Sequence, residues 1–276
     1  MDSREGVPSG LVLHTSANVF GNGDVELTHL GTFAGSACTA LNARPLDGAT
    51  FVFCHAGACR ASLSDGAEQR LGAQETLVLF PGRKLTLRLK DKGSAASFLM
   101  LRGAASVSRV MELGYWDLLK VPVAPETAEL RLVAEQFESS ADRGRDPRVL
   151  ALAEYMLDGL WQRARGASGH ALFYDAVRKL HALSPDQLTT ESAAARLGIS
   201  RSKLNQMFMA ALRERPGAYL ARVKAGLLVD MLLNTDLTVG GISARMGFSS
   251  TSALACFFRR RKGCTPMEFR AGRYDA

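Results

Sequence analysis

Ser192-Ala193-Ala194-Ala195-Arg196-Leu197-Gly198-Ile199-Ser200-Arg201-Ser202-Lys203-Leu204-Asn205-Gln206-Met207-Phe208 recurs later in the chain as Gly241-Ile242-Ser243-Ala244-Arg245-Met246-Gly247-Phe248-Ser249-Ser250-Thr251-Ser252-Ala253-Leu254-Ala255-Cys256-Phe257. The register Ala-Arg-(Leu/Met)-Gly-(Ile/Phe)-Ser returns after 49 residues, from Gly198 to Gly247. The spacing predicts a short helix ending at Gly198, a residue free to take the left-handed backbone of a tight turn. Ile199 then turns back onto the core, and Ser200 caps a second helix by accepting backbone N–H bonds. Leu204 and Phe208 fall on the buried face of that helix, leaving positions 201, 202, 205 and 206 outside. This is the layout of a helix-turn-helix, whose second helix enters the major groove of DNA. In the second copy Gly247, Phe248, Ser249 or Ser250, Leu254 and Phe258 play the same parts.

Between the copies, Tyr219, Leu220, Val223, Leu227, Leu228, Met231 and Leu232 sit at helical spacing behind Pro216. They predict one connecting helix, with proline in its first turn. Such a helix would hold two reading heads about one turn of DNA apart. Charge agrees with this reading. Residues 171–276 carry 16 Lys+Arg against 8 Asp+Glu, whereas residues 1–170 carry 18 against 19. The whole net charge of +7 therefore belongs to the last third, the footprint of a nucleic-acid-binding domain beside a neutral second module.

The residues from Leu172 to Arg270 resemble the AraC/XylS family of transcription regulators. The similarity is strongest over Gly247-Phe248-Ser249-Ser250, Phe258-Arg259-Arg260-Arg261 and Gly263-Cys264-Thr265-Pro266-Met267-Glu268-Phe269-Arg270, with Pro216 to Leu220 and Lys224 to Leu233 matching as well. The resemblance implies that Ser202, Asn205 and Gln206 face base edges from the first recognition helix, Asn and Gln suiting adenine. Arg201 and Lys203 beside them suit phosphates. In the second helix it places Thr251, Ser252, Ala255 and Cys256 toward the bases and Arg259, Arg260 and Arg261 on phosphates. The family often carries a polar residue at 255 and an arginine at 256. Ala255 and Cys256 cannot make a bidentate base contact, so the first unit is expected to supply most of the hydrogen-bonded readout. Arg213 stands where the family usually has glycine, and Gly240-Gly241 weakens the start of the following helix by roughly 1 kcal/mol per glycine.

The front of the chain has a different rhythm. From Gly10 to about Arg102, short apolar runs such as Thr50-Phe51-Val52-Phe53 and Thr76-Leu77-Val78-Leu79-Phe80 alternate with turn formers such as Asp47-Gly48, Asp65-Gly66 and Pro81-Gly82. Lys84 to Lys90 alternates strictly, predicting a strand with one buried face. The expected class is α+β: an N-terminal cupin-like β-barrel over residues 1–105 as the effector domain, a helical linker over 106–169, and an all-α DNA-binding domain over 170–276. The cupin-like domain is what the resemblance implies, with a small effector at the barrel mouth. The stripe Leu150, Met156, Leu157, Leu160 and Trp161 is a candidate dimerisation surface or, equally, packs its helix onto its own barrel.

Other function classes find less support. The composition, 47% hydrophobic and 22% charged, is that of a globular chain. No apolar run reaches membrane-spanning length and the N-terminus lacks a leader pattern, so a cytoplasmic protein with no membrane partner is expected. The five cysteines (Cys38, Cys54, Cys59, Cys256 and Cys264) are odd in number and fall in two distant clusters, which suits free thiols. Cys54-His55 with Cys59 lacks the second ligand pair of a zinc site, so no metal is expected. Arg143, Arg145 and Arg148 make an arginine-dense loop that can grip an effector's phosphates, a cyclic dinucleotide included, although a solvated loop has the same look. The expected partners are double-stranded DNA, RNA polymerase and a second copy of the chain. An enzymatic alternative, a DNA-targeted alkyl-transfer repair protein, needs a reactive cysteine beside an activating base, which no motif supplies.

Overall fold

The computed structural model describes residues 14–15, 25–34, 38–41, 46–103, 105–140, 146–167 and 170–272. The strands are β1 (His14–Thr15), β2 (Glu26–Ala34), β3 (Cys38–Leu41), β4 (Gly48–Ala56), β5 (Ala58–Leu63), β6 (Glu68–Gly72), β7 (Glu75–Leu79), β8 (Leu85–Leu89), β9 (Ala95–Arg102) and β10 (Lys120–Val121). They form two antiparallel sheets, in the orders β1-β2-β9-β4-β7-β10 and β3-β8-β5-β6. Alternation along each strand decides what lies between the sheets. Cys59, Ala61 and Leu63 of β5 pair with Leu89, Leu87 and Leu85 of β8, and all six point inward. They meet Phe33, Val52, Cys54, Leu77, Leu79, Ala96, Phe98 and Met100 from the larger sheet in one apolar core. Arg60, Ser62 and Arg88 lie outside. No ladder joins the two sheets among the described residues, so the expected barrel is an open two-sheet sandwich. In β4 and β9 both faces are buried, as in strands at the centre of a covered sheet.

Helix α1 (Ser106–Glu112) precedes β10, and α2 (Thr127–Ser139) and α3 (Pro147–Ala167) follow it. Helices α2 and α3 pack together through Leu130, Val133 and Phe137 on one side and the apolar stripe of α3 on the other. Arg163 donates two hydrogen bonds to Glu129 across them, at 3.1 and 2.9 Å. Met156, Leu157, Leu160 and Trp161 are buried within the chain. The candidate dimer surface is therefore mostly consumed by the protomer's own packing; of that stripe only Leu150 is partly open.

The last third holds α4 (Ala171–His181), a 3-10 turn (Pro185–Gln187), α5 (Thr190–Leu197), α6 (Arg201–Leu212), α7 (Pro216–Asn234), α8 (Val239–Arg245), α9 (Thr251–Lys262) and α10 (Pro266–Arg270). The chain divides into two compact units, residues 1–106 with 118–169, and residues 107–117 with 170–276. The segment Val107–Asp117 thus groups with the helical unit, although strands of the β unit flank it on both sides. Its backbone is held by side chains of that unit. Arg178 of α4 donates to the Glu112 carbonyl at 3.1 Å, and Arg222 of α7 donates to the Asp117 carbonyl. His181 Nδ1 bonds the Met111 carbonyl at 3.0 Å, so Nδ1 carries the proton and Nε2 accepts from the Tyr219 hydroxyl at 2.6 Å.

Burial lowers the pKa of His181 to about 4, against an opposing contribution from its bond to Met111. The unfolded chain therefore binds a proton between pH 6.5 and 4 that the folded unit refuses, and stability falls as pH drops through that window. The cost is about 3 kcal/mol, from a shift of roughly two and a half pKa units. His181→Gln is expected to flatten the dependence of Tm on pH between 7 and 4.5. An unchanged slope would assign the acid sensitivity elsewhere.

Candidate nucleic-acid interface

Each helix-turn-helix is set by its caps. Thr189 Oγ1 accepts from Ser192 N at 3.2 Å to start α5, and Thr238 Oγ1 accepts from Gly241 N at 3.0 Å to start α8. The second cap secures the glycine-weakened first turn of α8. Gly198 and Gly247 take the left-handed turn at φ 65° and 68°. Ser200 Oγ then caps α6 through Lys203 N, at 3.2 Å, and Ser250 Oγ caps α9 through Ala253 N, at 3.1 Å. The caps are 50 residues apart, while the glycines are 49 apart. The second turn is one residue longer, and Ser250 is the cap that the sequence left open between two serines. Downstream, Leu204 and Phe208 match Leu254 and Phe258 at the same offset of 50, all four fully buried.

The offset of 50 pairs Ser202 with Ser252, Asn205 with Ala255 and Gln206 with Cys256. Ser202, Asn205, Gln206, Thr251, Ser252 and Cys256 are all exposed, and Ala255 is half-buried. Arg201, Lys203, Arg259, Arg260 and Arg261 are exposed as well. They are not equivalent. Arg201 forms a surface ion pair with Glu191 at 3.0 Å, a contact weak enough for a phosphate to displace. Arg261 lies over the Phe257 ring at 5.0 Å, and burial together with nearby Arg222 lowers its pKa. Among the three consecutive arginines, Arg259 and Arg260 are the more open to a partner.

Three further residues set the frame. Arg213, in the slot that Gly263 fills in the second copy, itself adopts the left-handed backbone at φ 56° to end α6. The turn is kept at a cost of about 1 kcal/mol. Arg213→Gly is expected to raise stability by that amount, read as a higher Tm; a lower Tm would mean that the arginine side chain holds the turn. Arg270, the end of the family-like pattern, reaches back to the C-terminus of α7. Its guanidinium donates to the carbonyls of Leu232 at 3.1 Å and Leu237 at 2.6 Å, with Thr235 and Met231 at 3.4 and 3.5 Å. A cation there satisfies orphan carbonyls and suits the helix dipole. Thr265 and Glu268 close a reciprocal capping box at the start of α10, keeping Arg270 in place.

The remaining candidate residues lie in the β unit. Arg143 and Arg145 are outside the described residues. Arg148 is engaged by Asp146 through Nε at 3.1 Å and Nη2 at 2.8 Å, and this pairing holds the Asp146 carboxyl well below the usual range. Successive side chains on β4 point oppositely, so Cys54 enters the core while His55 Nε2 bonds Ser97 Oγ at 2.8 Å. Cys54 and Cys59 are both buried, and their mutual hydrogen bond and burial push the Cys59 thiol up. The same hydrogen bond lowers the Cys54 thiol, while burial keeps both sulfurs from the surface where alkyl transfer would need them. Among the described residues no group of three His, Cys, Asp or Glu side chains is placed to hold a metal, and no helix is long and apolar enough to cross a membrane.

Two capped helices with outward polar and cationic faces define a helix-turn-helix protein of the DNA-binding class. Residues 193–272 match the model of a helix-turn-helix domain. The regulator AlkR of Acinetobacter baylyi is 31% identical over 101 residues, 37% of this chain and 33% of that protein. RipA of Corynebacterium diphtheriae is 31% identical over 151 residues, 55% of this chain and 38% of RipA. The chain thus matches about a third of the length of these relatives. A crystal structure of ToxT from Vibrio cholerae O395 aligns over 92% of this chain and 98% of its own at 12% identity, with a TM-score of 0.44. The helix-turn-helix domain of this chain is thus similar to those of known transcriptional regulators, in line with the resemblance to the AraC/XylS family.

Proposed function

We propose that the protein is a sequence-specific transcription regulator, an effector-responsive activator that places α6 and α9 in successive major grooves. The observation that carries this reading is the pair of side-chain-capped helices presenting polar and cationic residues outward from one compact unit. Asn205 and Gln206 have the donor–acceptor pairs that read adenine, with Ser202 beside them. Thr251 and Ser252 offer single hydroxyls, and Ala255 and Cys256 offer apolar contact to thymine methyls. Lys203, Arg259, Arg260 and, after release from Glu191, Arg201 supply phosphate contacts. In this reading the β unit is the sensor, the compartment is the cytoplasm, and RNA polymerase is the partner on DNA.

The test is selection of DNA by the full chain from random duplexes, followed by footprinting. The expected result is one protected site with two half-sites about 10 base pairs apart. Even protection along the duplex would instead mark a non-specific packaging protein. Base changes under α6 should weaken binding more than changes under α9; the reverse ranking would overturn the assignment of readout to Asn205 and Gln206.

A further inference from the structure

Gly198 and Gly247 occupy the same turn in the two repeats and share the same left-handed backbone. Their surroundings differ. A Cβ added at 198 meets nothing within 4 Å, whereas one added at 247 falls 2.5 Å from Asp186 Cβ and 2.8 Å from Asp186 Cα. The second turn therefore packs directly on the 3-10 turn that opens the first half, and only glycine allows that approach.

The contact continues along one line. Lys224 of α7 sits with Nζ 4.6 Å from the centre of the Phe248 ring, next in sequence to Gly247. Burial lowers the Lys224 pKa and Asp186 opposes that shift, so the two groups are within electrostatic reach of each other. Phe248 packs on Phe257 at 5.3 Å between centroids, and Arg261 lies over the far ring at 5.0 Å. Arg261 in turn is within electrostatic reach of Arg222 and Glu214, which are ion-paired at 2.7 Å. A cation, two aromatic rings and a second cation thus join α7 and the loop before it to the turn and the second helix of the second unit.

A single helix joins two bodies at one end each and leaves rotation about those ends. A second contact away from the helix removes that freedom. We propose that the Asp186–Gly247 contact and the Lys224–Phe248–Phe257–Arg261 stack form a brace that fixes the separation of α6 and α9, so that these residues set the half-site spacing the protein accepts through packing and not through base contacts. The inference rests on the reading that both helices enter DNA.

The experiment uses the full chain and the duplex it selects, with base pairs inserted or removed between the half-sites. Wild type should lose at least about tenfold in affinity per change of spacing, comparable to a mismatched base pair. Gly198→Ala brings the same backbone strain at a site with open space and should keep that profile. Gly247→Ala should bind the original spacing about tenfold more weakly and accept altered spacings nearly as well. Its binding to a duplex carrying only the α6 half-site should stay at the wild-type level. Lys224→Ala, which removes the cation from the stack without steric conflict, should flatten the profile in the same direction. Profiles for Gly247→Ala and Lys224→Ala as sharp as that of Gly198→Ala would overturn the brace, as would a sharp profile for Lys224→Ala if Gly247→Ala does not fold. A wild type indifferent to spacing would sink the two-head reading itself, and the brace's role with it.

Discussion

Replacing Asn205 and Gln206 together by alanine is expected to lower affinity for the selected operator by a hundredfold or more, while binding to random duplex changes little. Each bidentate base contact contributes about 1–3 kcal/mol of discrimination, and in the proposed reading the two side chains would contact neighbouring positions. Both are exposed on α6 and neither supports the fold, which is held by Leu204 and Phe208 on the opposite face. The loss should therefore appear in specificity and leave Tm in place. The salt dependence separates the roles. The Asn205/Gln206 variant should keep the wild-type slope of log affinity against log salt. Replacing Arg259 and Arg260 should reduce that slope by about 2 and weaken all sequences alike. Equal losses on operator and random DNA for the Asn205/Gln206 variant would remove these residues from base readout.

The elements that sequence made legible are those governed by neighbours along the chain. Gly198, Ser200, Leu204 and Phe208 are within ten residues of each other, and caps, turns and apolar spacing act over that range. Strand β8 alternates as expected because one side faces the sandwich core and the other faces water. What stayed hidden depends on residues far apart in sequence. The extra residue in the second turn shows only once Ser250, and not Ser249, is seen capping α9. The contact of Gly247 with Asp186 and the grip of Arg270 on the end of α7 join positions that no local period connects. The α3 stripe illustrates a different limit: an apolar face states that it will be covered, and the covering partner here is the protomer's own β unit and α2. Val107–Asp117 is the largest such case. A helical pattern between strands and helices reads as linker, yet its partners lie 60 to more than 100 residues downstream.

That segment leads to the second large effect. Trp116→Ala is expected to destabilise the helical unit by about 3–5 kcal/mol, the cost of deleting a fully packed aromatic side chain. Trp116 is 2% exposed and lies 5.9 Å from Phe173, 5.8 Å from Tyr174 and 5.9 Å from Tyr219, centroid to centroid. Phe173 and Tyr219 each meet Phe208, the buried aromatic of α6, at 5.1 Å. The cavity would therefore open one side chain away from Phe208 of α6. Denaturant titration of the full chain, followed by the near-ultraviolet signal of the aromatic cluster, reads the loss directly. Operator affinity adds a second reading, because a loosened α6 should weaken specific binding at temperatures where the β unit is still folded. Trp161→Ala supplies the contrast: that tryptophan is as deeply buried but lies on α3 in the other unit, so it should lower the stability of the β unit and leave the affinity of folded protein for its operator unchanged. A Trp116→Ala cost below about 1 kcal/mol, within the range of an ordinary surface substitution, would mean that residues 107–117 rest on the helical unit without supporting it.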